Sequence, residues 1–300
     1  MSSSKTETMT KAYLLLIFTT MCWGGNTVLG KLAVGEISPM FLVSARWLGS
    51  LLLMLVFANS FIRRDWEVLR QKLVYAFCLG MMGFTGFNVL FYTAAYSTTA
   101  LNIGIIQGSI PVFVLIGTFL LYRTRVSPLQ FVGVIATFTG VITVGSRGDL
   151  SQLANLAFNY GDLLIIMACT LYAAYTVGLR QRPSVSALGL FTVLAGAAFV
   201  VSLPFSILEY MLGRFYWPSS TGWIVVALIT FFPSFLAQIF FIQGVEKIGP
   251  NRAGVFINLV PVFAAIFAVL ILGEPFELFH AAALSLVLGG IWLSEHGKRE

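Results

Sequence analysis

Gly104-Ile105-Ile106-Gln107-Gly108-Ser109-Ile110-Pro111-Val112-Phe113 and Gly254-Val255-Phe256-Ile257-Asn258-Leu259-Val260-Pro261-Val262-Phe263 lie half a chain apart in this 300-residue sequence. The second stretch repeats the glycine, the proline, the valine and the phenylalanine of the first in register. The same offset pairs Phe91 with Phe241, Leu120 with Leu270 and Gly140 with Gly290. Earlier in each half the match is weaker, and Thr27-Val28 aligns with Thr176-Val177 one residue out of step. One constant offset without gaps over about fifty residues marks an internal duplication, with halves 1–150 and 151–300.

Both copies are strongly apolar, and so is the whole chain. Hydrophobic residues make up 58% and charged residues only 10%, where an average soluble domain carries roughly a quarter charged. So little charge cannot cover a water-facing surface, so lipid is the expected solvent. A helix needs about 20 apolar residues to cross the hydrocarbon core. On that measure the sequence predicts spans at 12–34, 40–61, 73–96, 100–122 and 128–146 in the first half. The second half carries 161–179, 187–212, 222–245, 252–272 and 278–294. Only Ser97, Thr98 and Thr99 separate the third span from the fourth. The fold class is all-α and integral to the membrane: ten transmembrane helices in two five-helix repeats around a central cavity.

The basic residues orient these spans. With the N-terminus cytoplasmic, fourteen Lys and Arg fall on inside segments, among them Arg63, Arg64, Arg123, Arg180 and Arg252, against Arg147 and Arg214 outside. That asymmetry follows the positive-inside rule and places both termini in the cytoplasm. It also accounts for the net charge of +6 without any nucleic-acid partner. The first apolar run exceeds the ~7–15 residues of a signal-peptide core, so a cleaved leader is not expected. Five spans per half is an odd number, so the second repeat is inverted relative to the first. That plan recurs in secondary transporters, with substrate held near the midplane between repeats.

The chain carries breakers at matching places. Pro111 and Pro261 stand near the middle of spans four and nine, where a missing N–H loosens the helix. Gly83 in span three has Pro233 at the same offset in span eight. These four are hinge candidates. Gly104 and Gly108, four apart, suit close helix packing.

Neutral polar residues are available inside the spans. Asn26 follows Trp23-Gly24-Gly25. Asn88 and Tyr92 share a face one turn apart, and so do Tyr172 and Tyr175. Asn102, Gln107, Gln238 and Asn258 complete the set, with Phe84 on the aromatic side. Together they suggest a cavity of amide and aromatic groups, fitted to a small solute with a zwitterionic head and an apolar tail. No Asp or Glu stands near the middle of a span, which disfavours coupling through a buried carboxylate. Lys31 and Arg46 stand near the outer ends of spans one and two. They are expected to snorkel to the interface or to pair structurally, with attraction of anions as the lesser alternative. A sugar phosphate would want several buried basic residues and is not favoured. Walker, nucleophile-elbow and zinc-site spacings are absent, so neither catalysis nor a cofactor or metal is expected. The partners foreseen are a small-molecule substrate and the bilayer; the oligomeric state is open.

Trp23-Gly24-Gly25-Asn26, the two Pro-Val-Phe triplets and Leu272-Gly273-Glu274-Pro275 resemble the drug/metabolite transporter superfamily and its EamA-like exporters. The first-half turn, Tyr122-Arg123-Thr124-Arg125, departs from that motif. The resemblance covers nearly the whole chain, and within the family the chain looks most like YddG-type amino-acid exporters of bacterial inner membranes. It implies export of neutral and aromatic amino acids and related metabolites by alternating access, with motion in spans three, four, eight and nine. Alternatives are a multidrug or metabolite exporter of the same superfamily, or an ungated solute pore.

Overall fold

The computed structural model describes residues 2–149 and 159–296, apart from the side chains of 2–8, 250 and 251. The division at 150/151 and the basic residues Lys298 and Arg299 lie outside the described residues. Among the described residues ten helical stretches are long and apolar enough to span a membrane, from Met9–Leu32 to Leu278–His296. All ten coincide with the expected spans. The largest change is in the second, which ends at Phe57 instead of residue 61.

Beyond Phe57 the chain forms a separate surface helix. In chain order the first helices are α1 (Ser2–Leu32), α2 (Pro39–Phe57) and α3 (Asn59–Gln71). The α3 sequence is too polar to remain in lipid, and among its residues only Leu69 is buried. Asp65 fastens it by accepting hydrogen bonds from the Ser186 backbone N–H, at 2.8 Å, and from the Ser186 hydroxyl. The Ser186 hydroxyl bond is the main cause that holds the Asp65 carboxyl below its ordinary value. A depressed acid contributes stability above the unfolded pKa of about 3.9 and loses it as pH falls through the folded value. Hydrogen-exchange protection of 59–71 should therefore stay constant from neutral pH to about pH 4 and fall below it. Asp65→Ala should lower that protection roughly tenfold at neutral pH, the scale of a charge-assisted hydrogen bond. Equal protection in the variant would show that α3 is held by other contacts.

Four spans are broken, in two symmetric pairs. Span three runs through α4 (Leu73–Gly80), a π-helical turn Met81–Gly86 and α5 (Phe87–Ala94). Span four is α6 (Ala100–Gln107) and α7 (Ile110–Tyr122), followed by α8 (Pro128–Gly145). The second half continues with α9 (Tyr160–Gly178), α10 (Ala187–Met211) and α11 (Ser220–Ile229). A second π turn, Thr230–Leu236, leads into α12 (Ala237–Ile248). Span nine is α13 (Pro250–Ile257) and α14 (Val260–Leu272), and α15 (Leu278–His296) closes the chain.

The physical causes are visible in the second π turn. Pro233 has no N–H for the Ile229 carbonyl one turn earlier, and the Ser234 hydroxyl takes that carbonyl instead at 2.7 Å. In the first π turn Gly83 does the corresponding work by close approach: a Cβ there would stand 2.7 Å from ring carbons of Tyr175. Pro111 and Pro261 do not kink continuous helices. Each sits at the start of a new segment, α7 or α14, just after breaks at 108–109 and 258–259, a position where the missing N–H is harmless.

Helix ends are capped across the two halves. Glu209 accepts from the N–H groups of Met40 and Phe41 at the start of α2. Glu274 accepts from Ala100 and Leu101 N–H, each at 2.8 Å, at the start of α6. Gly273 in that turn has φ 67°, and Arg123 at the equivalent first-half position has φ 53°. The turn that departs in sequence thus keeps the left-handed conformation. The contacts also sort the loops into two ends. Residues 33–38, 95–99, 209–219 and 273–274 meet at one, through Ser38–Tyr216, Lys31–Thr98 and Glu274–Ala100. Asp65–Ser186 and Gln181–Tyr122 mark the other. This is the alternation the charge pattern requires.

The pairing of α8 with α15 shows the two-fold relation between halves directly. A Cβ on Gly290 would stand 2.5 Å from the Gly133 carbonyl oxygen, and one on Gly140 would stand 2.8 Å from that of Ala283. Adding the repeat offset to Gly133 and Gly140 gives Ala283 and Gly290, so each contact is the image of the other.

Candidate functional site

The two π turns bring their neighbours together where α1, α2 and α5 meet the second half. At the centre is Arg46 of α2, whose side chain points into the protein with 5% exposure. Its Nε and Nη2 both donate to the Ser234 hydroxyl, at 2.9 and 2.7 Å. Its Nη1 donates to Asn88 Oδ1 at 2.6 Å and to the Tyr92 hydroxyl. Tyr92 in turn donates to Asn26 Oδ1 at 3.1 Å. Of the two readings for Arg46, snorkelling is thus corrected, and the side chain follows the pairing alternative inside the protein. It begins about 10 Å into its span, counting 1.5 Å per residue from Pro39, and the polar partners inside outcompete the headgroups. Lys31 follows the pairing alternative: its Nζ donates to the carbonyls of Ala95 and Thr98 at 2.8 and 2.9 Å, which fills the C-terminal end of α5 with positive charge.

An aromatic wall adjoins this cation. Trp47 stacks on Phe84 with ring centroids 4.6 Å apart and planes at 8°. Phe84 meets Tyr175 at 5.3 Å, and Tyr172 meets Tyr175 at 5.4 Å and Phe87 at 5.3 Å. The Arg46 guanidinium carbon lies 5.1 Å from the Trp47 ring centroid and 5.6 Å from that of Tyr92, within cation–π range. Trp23 supports the second π turn through Nε1, which donates to the Pro233 carbonyl at 3.2 Å. Gly24 before Asn26 lets α1 reach α14, since a Cβ there would stand 2.8 Å from the Ala264 backbone nitrogen.

The structure therefore gathers Asn26, Phe84, Asn88, Tyr92, Tyr172 and Tyr175 of the sequence-predicted set, with Trp23 and Pro233 behind them. Asn102 stands apart: its amide nitrogen lies 3.4 Å from both oxygens of Asp162 at one end of the bundle. Gln107 turns back to the Ile103 carbonyl at 3.3 Å. Gln238 and Asn258 are half-buried, and their amides have no hydrogen-bond partner among the described residues. Arg46, Trp47 and Ser234 were not among the predicted site residues. For Arg46 the signal was present, because an ionisable residue inside a span is a functional candidate by default. Ser234 and Trp47 carry no such mark; only the fold places them beside the cation.

Equivalent segments of the two halves are packed unequally. Seven residues of α6, Ala100 through Ile106, are buried. A Cβ on Gly104 would overlap that of Ala264, whereas Gly254, its equivalent in α13, has nothing within 4 Å among the described residues.

Comparison with known proteins gives the family of this arrangement. The model of the EamA-like transporter family matches twice, over residues 10–146 and 159–295. "Uncharacterized transporter YetK" of Bacillus subtilis (strain 168) is 30% identical over 296 residues, covering 96% of this chain and 88% of the relative. "Uncharacterized transporter YyaM" of the same organism is 29% identical, covering 93% and 92%. A solved structure with 17% identity aligns over 95% of this chain and 96% of its own, with a TM-score of 0.63; it shows the same fold.

Proposed function

We propose that this chain, which belongs to the EamA-like transporter family, exports neutral amino acids, aromatic ones included, and related small metabolites by alternating access. In this reading it is a secondary transporter or facilitator of the bacterial inner membrane, close to the YddG type, with both termini in the cytoplasm.

The unequal packing of Gly104 and Gly254 carries the alternating-access part. Inverted repeats of related sequence have two packings available, and exchanging them turns the opening from one side to the other. The breaks at 108–109 and 258–259 and the two π turns leave few helix hydrogen bonds to disrupt in that exchange. Pro111, Pro261, Gly83 and Pro233 are the hinge residues of this scheme. The substrate class rests on the aromatic wall beside hydrogen-bonding amides and hydroxyls, which suits an apolar side chain next to a polar head.

The test is counterflow. Proteoliposomes loaded with unlabelled phenylalanine, methionine or threonine are diluted into the matching labelled amino acid. Transient accumulation of label, saturating with concentration, is the expected result. Leak without saturation would indicate a pore. Folded, inserted protein that accumulates none of the three would overturn the amino-acid reading.

A further inference from the structure

Arg46 is a full positive charge that this protein buries without a negative one. Among the described residues no carboxylate lies within 4.0 Å of its guanidinium, and the ion pairs of Arg64 with Asp65 and of Arg70 with Glu67 do not involve it. The buried acids are committed elsewhere: Glu209 to the start of α2, and Asp162 to Thr98 and Asn102. Leaving an ion in a low-dielectric interior without a counter-charge is costly even after relaxation. Neutral oxygens and ring faces offset part of that. A protein that needed only packing here would be more stable with an apolar side chain.

The surroundings of Arg46 are rich in unused donors. A guanidinium has five N–H groups in a planar fork. Four are engaged, one from Nε, two from Nη1 and one from Nη2, which leaves one Nη2 hydrogen without an acceptor among the described residues. The indole N–H of Trp47, on a residue 2% exposed, has no partner among the described residues. The Asn26 amide nitrogen, whose oxygen Tyr92 occupies, also lacks an acceptor among the described residues. All three are donors on or next to the cation, and no negatively charged acceptor accompanies them. Ser234, Asn88 and Tyr92 hold the fork as neutral placeholders. A carboxylate would bind it more strongly, because both partners would be charged and two N–H groups would point the same way.

We infer that Arg46 is the receptor for a carboxylate of the transported solute, held with the apolar part of the solute against Trp47 and Phe84. The inference rests on the proposed export function for its setting and adds a requirement to it: the carboxylate is read and the ammonium is not. Among the described residues no acidic side chain stands in the cluster to neutralise an amine. The recognised class is a small monocarboxylate with an apolar or aromatic tail, of which amino acids are one kind.

Binding to purified wild-type protein in detergent, measured as a thermal shift, tests this with three probes that share one ring. These are phenylalanine, 3-phenylpropionate (which lacks the amine) and phenethylamine (which lacks the carboxylate). The expected order places phenylalanine and phenylpropionate together, with phenethylamine at least tenfold weaker. Arg46→Lys keeps the charge but not the fork and should weaken both acids about tenfold; Arg46→Gln should weaken them on the order of 100-fold. Phenethylamine binding should not weaken in either, because an ammonium gains nothing from the cation. Equal binding of phenethylamine and phenylpropionate to wild type would overturn the inference whatever the variants do, and so would binding of none of the three. Unaltered acid preference in a folded Arg46→Gln protein would also overturn it. Binding of phenylpropionate that depends on Arg46, with no counterflow of any amino acid, would sustain the carboxylate site and remove the amino-acid reading alone.

Discussion

Gly290→Leu is expected to leave little folded protein, whereas Gly289→Leu, one residue away on the same helix, is expected to melt within a few degrees of the parent. The difference lies in what each glycine faces. A Cβ on Gly290 would stand 2.5 Å from the Gly133 carbonyl oxygen and 2.8 Å from the Thr137 backbone nitrogen, while Gly289 has nothing within 4 Å among the described residues. Backbone atoms cannot rotate aside as a side chain can. The α8–α15 pair would have to separate along its length, losing the Gly140–Ala283 contact at the symmetric position as well. Overpacking a close-fitted core costs about 1–3 kcal/mol, and more where the neighbour is rigid backbone. In lipid there is little hydrophobic drive to hold two displaced helices together, so close packing between small residues supplies most of the association. Size-exclusion recovery of a fluorescent fusion, followed by melting in detergent, reads both variants. Equal recovery of the two would mean that α8 and α15 are not closely packed in the membrane.

The second large effect separates stability from turnover at one repeat-related pair. Gly104→Leu should destabilise the protein by roughly 1–3 kcal/mol, because the added side chain meets Ala264 where α6 is already fully packed. Gly254→Leu should be neutral or slightly stabilising in this conformation, since the space is open and leucine favours a helix over glycine by somewhat under 1 kcal/mol. Transport should nevertheless fall at least tenfold in both. Under alternating access α13 must take up the tight packing that α6 has now, and a leucine at 254 would block it there. Melting temperatures and counterflow rates measured on the same preparations check this. A Gly254→Leu protein that transports at the parental rate would show that α6 and α13 do not exchange environments.

Much of this was present in the amino-acid sequence because lipid is a simple solvent. A run of about 20 apolar residues has one stable placement in a bilayer, so ten runs gave ten spans. Charge on alternate loops gave two ends, which the contacts of Ser38, Lys31 and Glu274 at one end and Asp65 at the other reproduce. A constant offset gave the duplication, and the paired Pro111 and Pro261 marked where spans four and nine break. These are local or periodic properties: each follows from a residue's own chemistry and its neighbours along the chain.

The tertiary structure decided three things that such properties do not contain. It set the rotation of α2 about its axis, which turns Arg46 toward Ser234, 188 residues away, instead of toward the interface. It assembled the site from Trp47 and Ser234, whose types alone signal nothing, while sending Asn102 to Asp162. It also gave two glycines at equivalent positions, Gly104 and Gly254, opposite environments. A helix's hydropathy fixes how deep it sits but not which face meets which neighbour. That is fixed by shape and hydrogen-bond partners from other spans, and in a duplicated chain two copies of one sequence can satisfy them in two different ways.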